Sequence, residues 1–185
     1  MFEHITIFMS FIYAIAITHL LSTTNELILA RDRVKISWLL VGWMVAALQL
    51  LVINWLSVAT LSTIHWTLAD ALRLFGNALI QYFTCSLVSM RVEKEGTIDM
   101  PAFFARQRPV ILTAVLALGV AAALSNYLDR NVGSAGWIGQ DLTIAGMELV
   151  LALALFVRTG WAQGLAVIIM LGDNTYFLVR FVTFG

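Results

Sequence analysis

Six apolar stretches, each about as long as a bilayer crossing, recur along this 185-residue chain and leave few other architectures open to it. A helix needs about 20 predominantly apolar residues to cross the hydrocarbon core, where every backbone N–H and C=O must be paired within the segment. The stretches are Ile5–Thr24, Ile36–Leu61, Thr67–Met90, Pro109–Leu128, Trp137–Val157 and Trp161–Val182. The second and fourth contain no charged residue, whereas the third carries Asp70 and Arg73 in its first two turns. Composition agrees with lipid as the solvent, since 61% of residues are apolar and only 12% are charged. The same composition excludes disorder and a nucleic-acid footprint. A single cysteine, Cys85, excludes an internal disulfide or a thiolate metal site. The expectation is an all-α polytopic membrane protein with six transmembrane helices, residues 1–185 forming one transmembrane domain.

Basic residues set the expected direction, because cytoplasmic connections carry an excess of Lys and Arg. One set of alternate connections holds Arg31, Arg33, Lys35, Arg91, Lys94, Arg106, Arg108 and Arg158, while the other holds Arg130. Arg73 and Arg180 fall inside or at the ends of spans. The basic set is expected inside and both termini outside. Trp38 and Trp161 then mark inner boundaries, and Trp66 and Trp137 outer ones. The tail Met1-Phe2-Glu3-His4 lacks the basic region of a signal peptide, so the first helix is expected to stay uncleaved. The one substantial soluble segment is 91–108. Asp99 followed by Met100 and Pro101 reads as a helix start. Phe103 and Phe104 beside Arg106 and Arg108 point either to a short in-plane helix at the headgroups or to a plain connection.

Ionisable residues within spans are functional candidates, since they usually face the bundle interior or water. His19, Ser22, Thr23 and Glu26 share roughly one face of the first helix. Asp70, Arg73, Asn77 and Gln81 lie along one face of the third, with Asp70 and Arg73 spaced to pair. Glu148 in the fifth and Asp173 in the sixth are expected at similar depth on adjacent antiparallel helices. There, two carboxylates in low dielectric cannot both ionise cheaply. Asp141 precedes Glu148 by seven residues, and Arg180 follows Asp173 by seven with Tyr176 on the same face. The alternatives are a neutral His19 bonded to a neighbouring helix with Glu26 at the headgroups, hydrogen-bonding glue along the third-helix stripe, and an inert carboxylate pair of which Arg73 or Arg180 reaches one member; glue is also the simplest reading of Gln49 and Asn54. Small residues from Ala114 to Ser125, and the pair Gly160 and Gly164, permit close helix approach.

No nucleotide-binding loop, nucleophile elbow or zinc-protease motif is present, and no cofactor is expected. His4 and His65 with Glu3 and Asp70 could gather at the outer mouth, but their spacing supports no metal site. An enzyme is not expected, although a carboxylate and a histidine would suffice to act on a lipid or quinone. Three and three spans show no convincing internal repeat.

Glu3-His4, the stretch FIYAIAITHLL at 11–21, Arg33-Val34-Lys35, and Trp38, Trp43 and Trp55 resemble features of a group of small, uncharacterised bacterial inner-membrane proteins. Asp99 to Arg106, with Phe103 and Phe104, is similar to that group's cytoplasmic connection. The likeness covers roughly the first 110 residues. It implies bacterial origin, a plasma-membrane location and an interest in Glu3, Thr18 and His19, and brings no activity with it. Two functions fit the residues. One is a proton or small-cation channel or transporter using Glu148, Asp173, Asp70, Arg73 and His19, with Glu26, Asn77 and Arg180 completing the polar core. The other is a non-catalytic homo-oligomer or accessory subunit of a larger membrane complex, with the bilayer and another membrane protein as partners.

Overall fold

The computed structural model describes residues 2–60, 67–93, 95–128 and 137–184, with the side chains at 2, 59, 60, 126, 128, 137–141 and 180–184 left aside. Six helices form the fold: α1 (Phe2–Leu29), α2 (Trp38–Thr60), α3 (Leu68–Val88), α4 (Met100–Leu128), α5 (Trp137–Phe156) and α6 (Gly160–Phe184). Among the described residues, four are long and apolar enough to cross a membrane, over Glu3–Leu29, Trp38–Val58, Met100–Ser125 and Gly160–Val179. In α5 the apolar described part is the shorter Leu142–Phe156. The charges of Asp70 and Arg73 keep α3 the most polar of the six expected crossings.

Local chemistry sets several helix ends. Thr67 caps α3 in a reciprocal box: its hydroxyl accepts from the Asp70 N–H, and the Asp70 carboxylate accepts from the Thr67 N–H. At α2, the Ser37 hydroxyl accepts from the Leu40 N–H at 3.4 Å. Asp99 starts α4 as expected, its carboxylate accepting from the Ala102 N–H at 2.9 Å. Phe103 and Phe104 do not belong to a separate in-plane helix, because α4 runs unbroken from Met100 through Pro109 to Leu128. Proline removes a single helical hydrogen bond, and packing within a bundle absorbs that loss.

Two connections lock together at one end of the bundle. A 3₁₀ turn at Arg31–Arg33 leads into the two-residue strand β1 (Val34–Lys35), which pairs in parallel with β2 (Ile98–Asp99). The Arg33 guanidinium donates to the carbonyls of Glu93 at 2.9 Å and Gly96 at 3.1 Å, and Lys35 reaches Asp99 at 3.2 Å. Gly96 has φ 86°, a left-handed conformation that glycine adopts without steric cost. The α1–α2 and α3–α4 connections thus form one folded platform.

Helix α2 is the hub, packing most extensively on α6 and also on α3, α1 and α4; α1 lies against α3, and α4 against both α3 and α5. The buried centre includes Trp43, Leu40 and Leu51 of α2, Leu20 of α1, Ile111 and Leu112 of α4, and Met170 of α6. Gly42 makes the α2–α6 approach possible, because a side chain there would collide with Val167. By contrast, a Cβ on Gly160 or Gly164 would meet nothing within 4 Å, so that pair mediates no helix contact within the described bundle.

Candidate functional site

The polar side chains of the hub are engaged across helices. Asn54 on α2 donates to the Gln81 side-chain oxygen at 3.1 Å, and Gln81, fully buried on α3, donates back to the Ala47 carbonyl at 3.3 Å. Gln49 on α2 donates to the Thr175 hydroxyl on α6 at 3.0 Å, and buried Asn174 donates to the Ala46 carbonyl at 3.4 Å. Gln49, Asn54 and Gln81 therefore act as the expected glue, while Asn174 joins them from a helix whose sequence draws attention to its charges instead. The α3 stripe splits in two: Asp70 and Arg73 pair at 3.4 Å near the helix start, and Gln81 is committed to α2. Asn77 lies half-buried between them.

A second polar centre, which the sequence does not announce, closes the end of α5. Arg108 of α4 is buried, and its guanidinium donates to the carbonyls of Ala154 at 3.2 Å, Leu155 at 3.1 Å and Val157 at 3.4 Å. Gln163 of α6 adds bonds to Ala154 at 2.6 Å and Val157 at 2.9 Å. The last carbonyls of a helix have no intrahelical donor, and the helix dipole places negative partial charge there. A planar guanidinium with five N–H groups meets both needs. In sequence Arg108 has weight only as one more inner basic residue. The hint is its position immediately before Pro109, inside a stretch that folds as a helix.

Glu148 and Asp173 face different surroundings. The Glu148 carboxylate lies against Gly119 of α4, where a methyl group would collide with Oε1. Asp173 is half-buried on α6 beside Asn174 and Thr175, both of which reach α2. Among the described residues neither acid forms an ion pair or hydrogen bond. Of the other expected participants, His65 and the side chains of Asp141 and Arg180 lie outside the described residues. Among those described, no three His, Cys, Asp or Glu side chains come together as a metal-binding group.

The first helix presents the most unusual surface. Met9, Tyr13, Ala16, Leu20 and Thr23 of α1 are buried, whereas Thr18, His19, Ser22, Asn25 and Glu26 are all turned outward, Asn25 and Glu26 at the end nearer the platform. Their spacing places them on one outward stripe running through more than two turns. Thr18 bonds back to the Ala14 carbonyl at 2.8 Å, a bond within its own helix. His19 lies ten residues before Leu29, about 15 Å along the helix axis.

Outside the crossings, the Asp99 carboxyl is held below the usual carboxylate range, first by the Ala102 N–H and then by Lys35. No protein-family model, curated protein or solved structure matches the chain. The class that the fold defines is an all-α helical bundle with, among the described residues, four helices long and apolar enough to cross a membrane.

Proposed function

We propose that this chain is a non-catalytic membrane subunit that docks through α1 onto another membrane helix, in a homo-oligomer or as an accessory chain of a larger complex. The observation carrying this reading is the outward stripe Thr18, His19, Ser22, Asn25 and Glu26 on a helix otherwise apolar enough to span a bilayer. Ionisable side chains at membrane depth usually turn inward or pair, and a charge centred in the core costs roughly 2.5–3.5 kcal/mol on insertion scales. A second helix seated on the stripe supplies hydrogen-bond partners and removes the polar face from lipid. The proposed setting is a bacterial plasma membrane with six crossings, both termini outside and the platform inside, supported by the distribution of basic residues.

The experiment is extraction in native membrane discs followed by mass determination. Wild type is expected to emerge with a second chain. His19→Leu/Glu26→Leu is expected to emerge alone, with unchanged thermal stability of the bundle. A solitary wild-type chain would remove the reading, and the identity of any companion distinguishes a homo-oligomer from an accessory role.

A second reading rests on Glu148 and Asp173, two half-buried acids in helices with no ion pair among the described residues. It assigns them proton or small-cation transport. Proton flux into liposomes should then fall at least tenfold in Glu148→Gln and Asp173→Asn, and equal flux in all three proteins would end this reading.

A further inference from the structure

A groove of about 440 Å³ opens between the C-terminal turns of α1 and the first turns of α2. Its walls are Leu21, Leu27 and Ile28 of α1 and Val41, Val45 and Leu48 of α2. The volume lies in the range of small-molecule sites, which is about 300–1,000 Å³. From Trp38 to Leu48 the α2 wall rises ten residues, about 15 Å, which matches one leaflet of a core about 30 Å thick. The groove therefore has the length and the apolar lining of a seat for an acyl chain.

Its mouth is chemically different from its walls. Arg31 and Trp38 both line the groove at the end carrying the folded connections. Trp38 is 78% exposed, as befits an indole at headgroup level. The neighbouring cations are committed elsewhere, Arg33 to the carbonyls of Glu93 and Gly96 and Lys35 to Asp99. Arg31 has an Asp32 oxygen 3.9 Å from its Nε, with both side chains well exposed, an arrangement of little energetic weight. An apolar slot one leaflet deep with a guanidinium and an indole at its rim is complementary to one lipid class.

We propose that this groove binds a phospholipid with an anionic headgroup, one acyl chain lying between α1 and α2 and the phosphate on Arg31 beside Trp38. The groove occupies a different flank of α1 from the outward stripe, so the site does not depend on the docking reading.

The test uses the full-length protein, delipidated in mild detergent and titrated with phosphatidylglycerol or with phosphatidylcholine of the same acyl chains. Native mass spectrometry reads the bound lipid. Wild type should prefer phosphatidylglycerol by about fivefold, since one surface cation contributes roughly 1 kcal/mol toward an anionic headgroup. Arg31→Gln, a change at an exposed position, should erase that preference while phosphatidylcholine binding persists. Val45→Trp should reduce both lipids at least fivefold by filling the groove. Equal binding of the two lipids by wild type, or a preference that survives Arg31→Gln, would overturn the proposal. So would occupation of the groove by a second copy, seen as dimers that Val45→Trp dissociates without any change in lipid binding.

Discussion

The hub around α2 and the outer face of α1 are both rich in polar side chains, yet they treat them in opposite ways. At the hub, Asn54 meets Gln81, Gln49 meets Thr175, and Asn174 meets the Ala46 carbonyl, all across helix boundaries. On α1, Thr18, His19, Ser22, Asn25 and Glu26 turn away from α2 and α3. The contrast shows that polarity in an apolar helix has two distinct uses. Paired inside the bundle it holds the fold together; turned outward on α1 it is the observation from which we propose docking.

The largest effect in the interior is expected at Arg108, whose loss leaves the Leu155 carbonyl without its side-chain donor. Arg108→Met should destabilise the bundle by about 2 kcal/mol, because the Leu155 carbonyl loses a charged donor while Gln163 still serves the carbonyls of Ala154 and Val157. Arg108→Lys should recover only part, since an ammonium lacks the planar fork that spans three carbonyls. Thermal unfolding in detergent checks both. Gly119→Ala comes next: the added methyl must displace the Glu148 carboxylate, at an expected cost of about 1.5 kcal/mol, toward the low end for an added buried methyl because the atoms in its way are the end of a flexible side chain. Gly119→Ala/Glu148→Ala should regain most of that loss, and a double-mutant cycle without coupling would contradict the contact.

Hub glue is worth less per contact. Gln81→Leu is expected to cost about 1 kcal/mol, within the range measured for hydrogen bonds between membrane helices. Adding Asn54→Leu should cost less than the two single losses combined. The platform gives the smallest effect, read as pH dependence. Because the Asp99 carboxyl titrates lower folded than unfolded, its stabilisation is present above the unfolded value and fades as pH falls through the folded one. Asp99→Asn should flatten that acid limb in unfolding curves measured against pH, leaving stability at neutral pH slightly reduced.

Much of the bundle is legible in the sequence because long apolar stretches bounded by polar residues fold as helices. The boundaries of α2, α3 and α5 fall within a few residues of the stretches read from hydropathy. Asp99 as the start of α4 and Asp70 with Arg73 as a pair also follow from local spacing. Other features depend on information that periodicity does not contain. A helical repeat tells that His19, Ser22 and Glu26 share a face, but not whether that face turns to the hub or away from it. Arg108 is hidden because its partners are carbonyls of α5, which any sequence would supply. The pairing of Val34 with Ile98 and of Lys35 with Asp99 is too short to leave a strand pattern. Gly42 lies in a run of large apolar residues, where only the neighbouring Val167 reveals why a side chain is excluded.

We propose that a second protein helix covers the polar face of α1 in the membrane. It is tested most directly by a photo-activatable cross-linking residue placed at Ser22, on the stripe, and in a separate chain at Ile168, an outward apolar position on α6 that is 68% exposed. After irradiation of intact membranes, the predicted result is a protein adduct from position 22 and lipid adducts alone from position 168. Lipid adducts alone from both positions would contradict it.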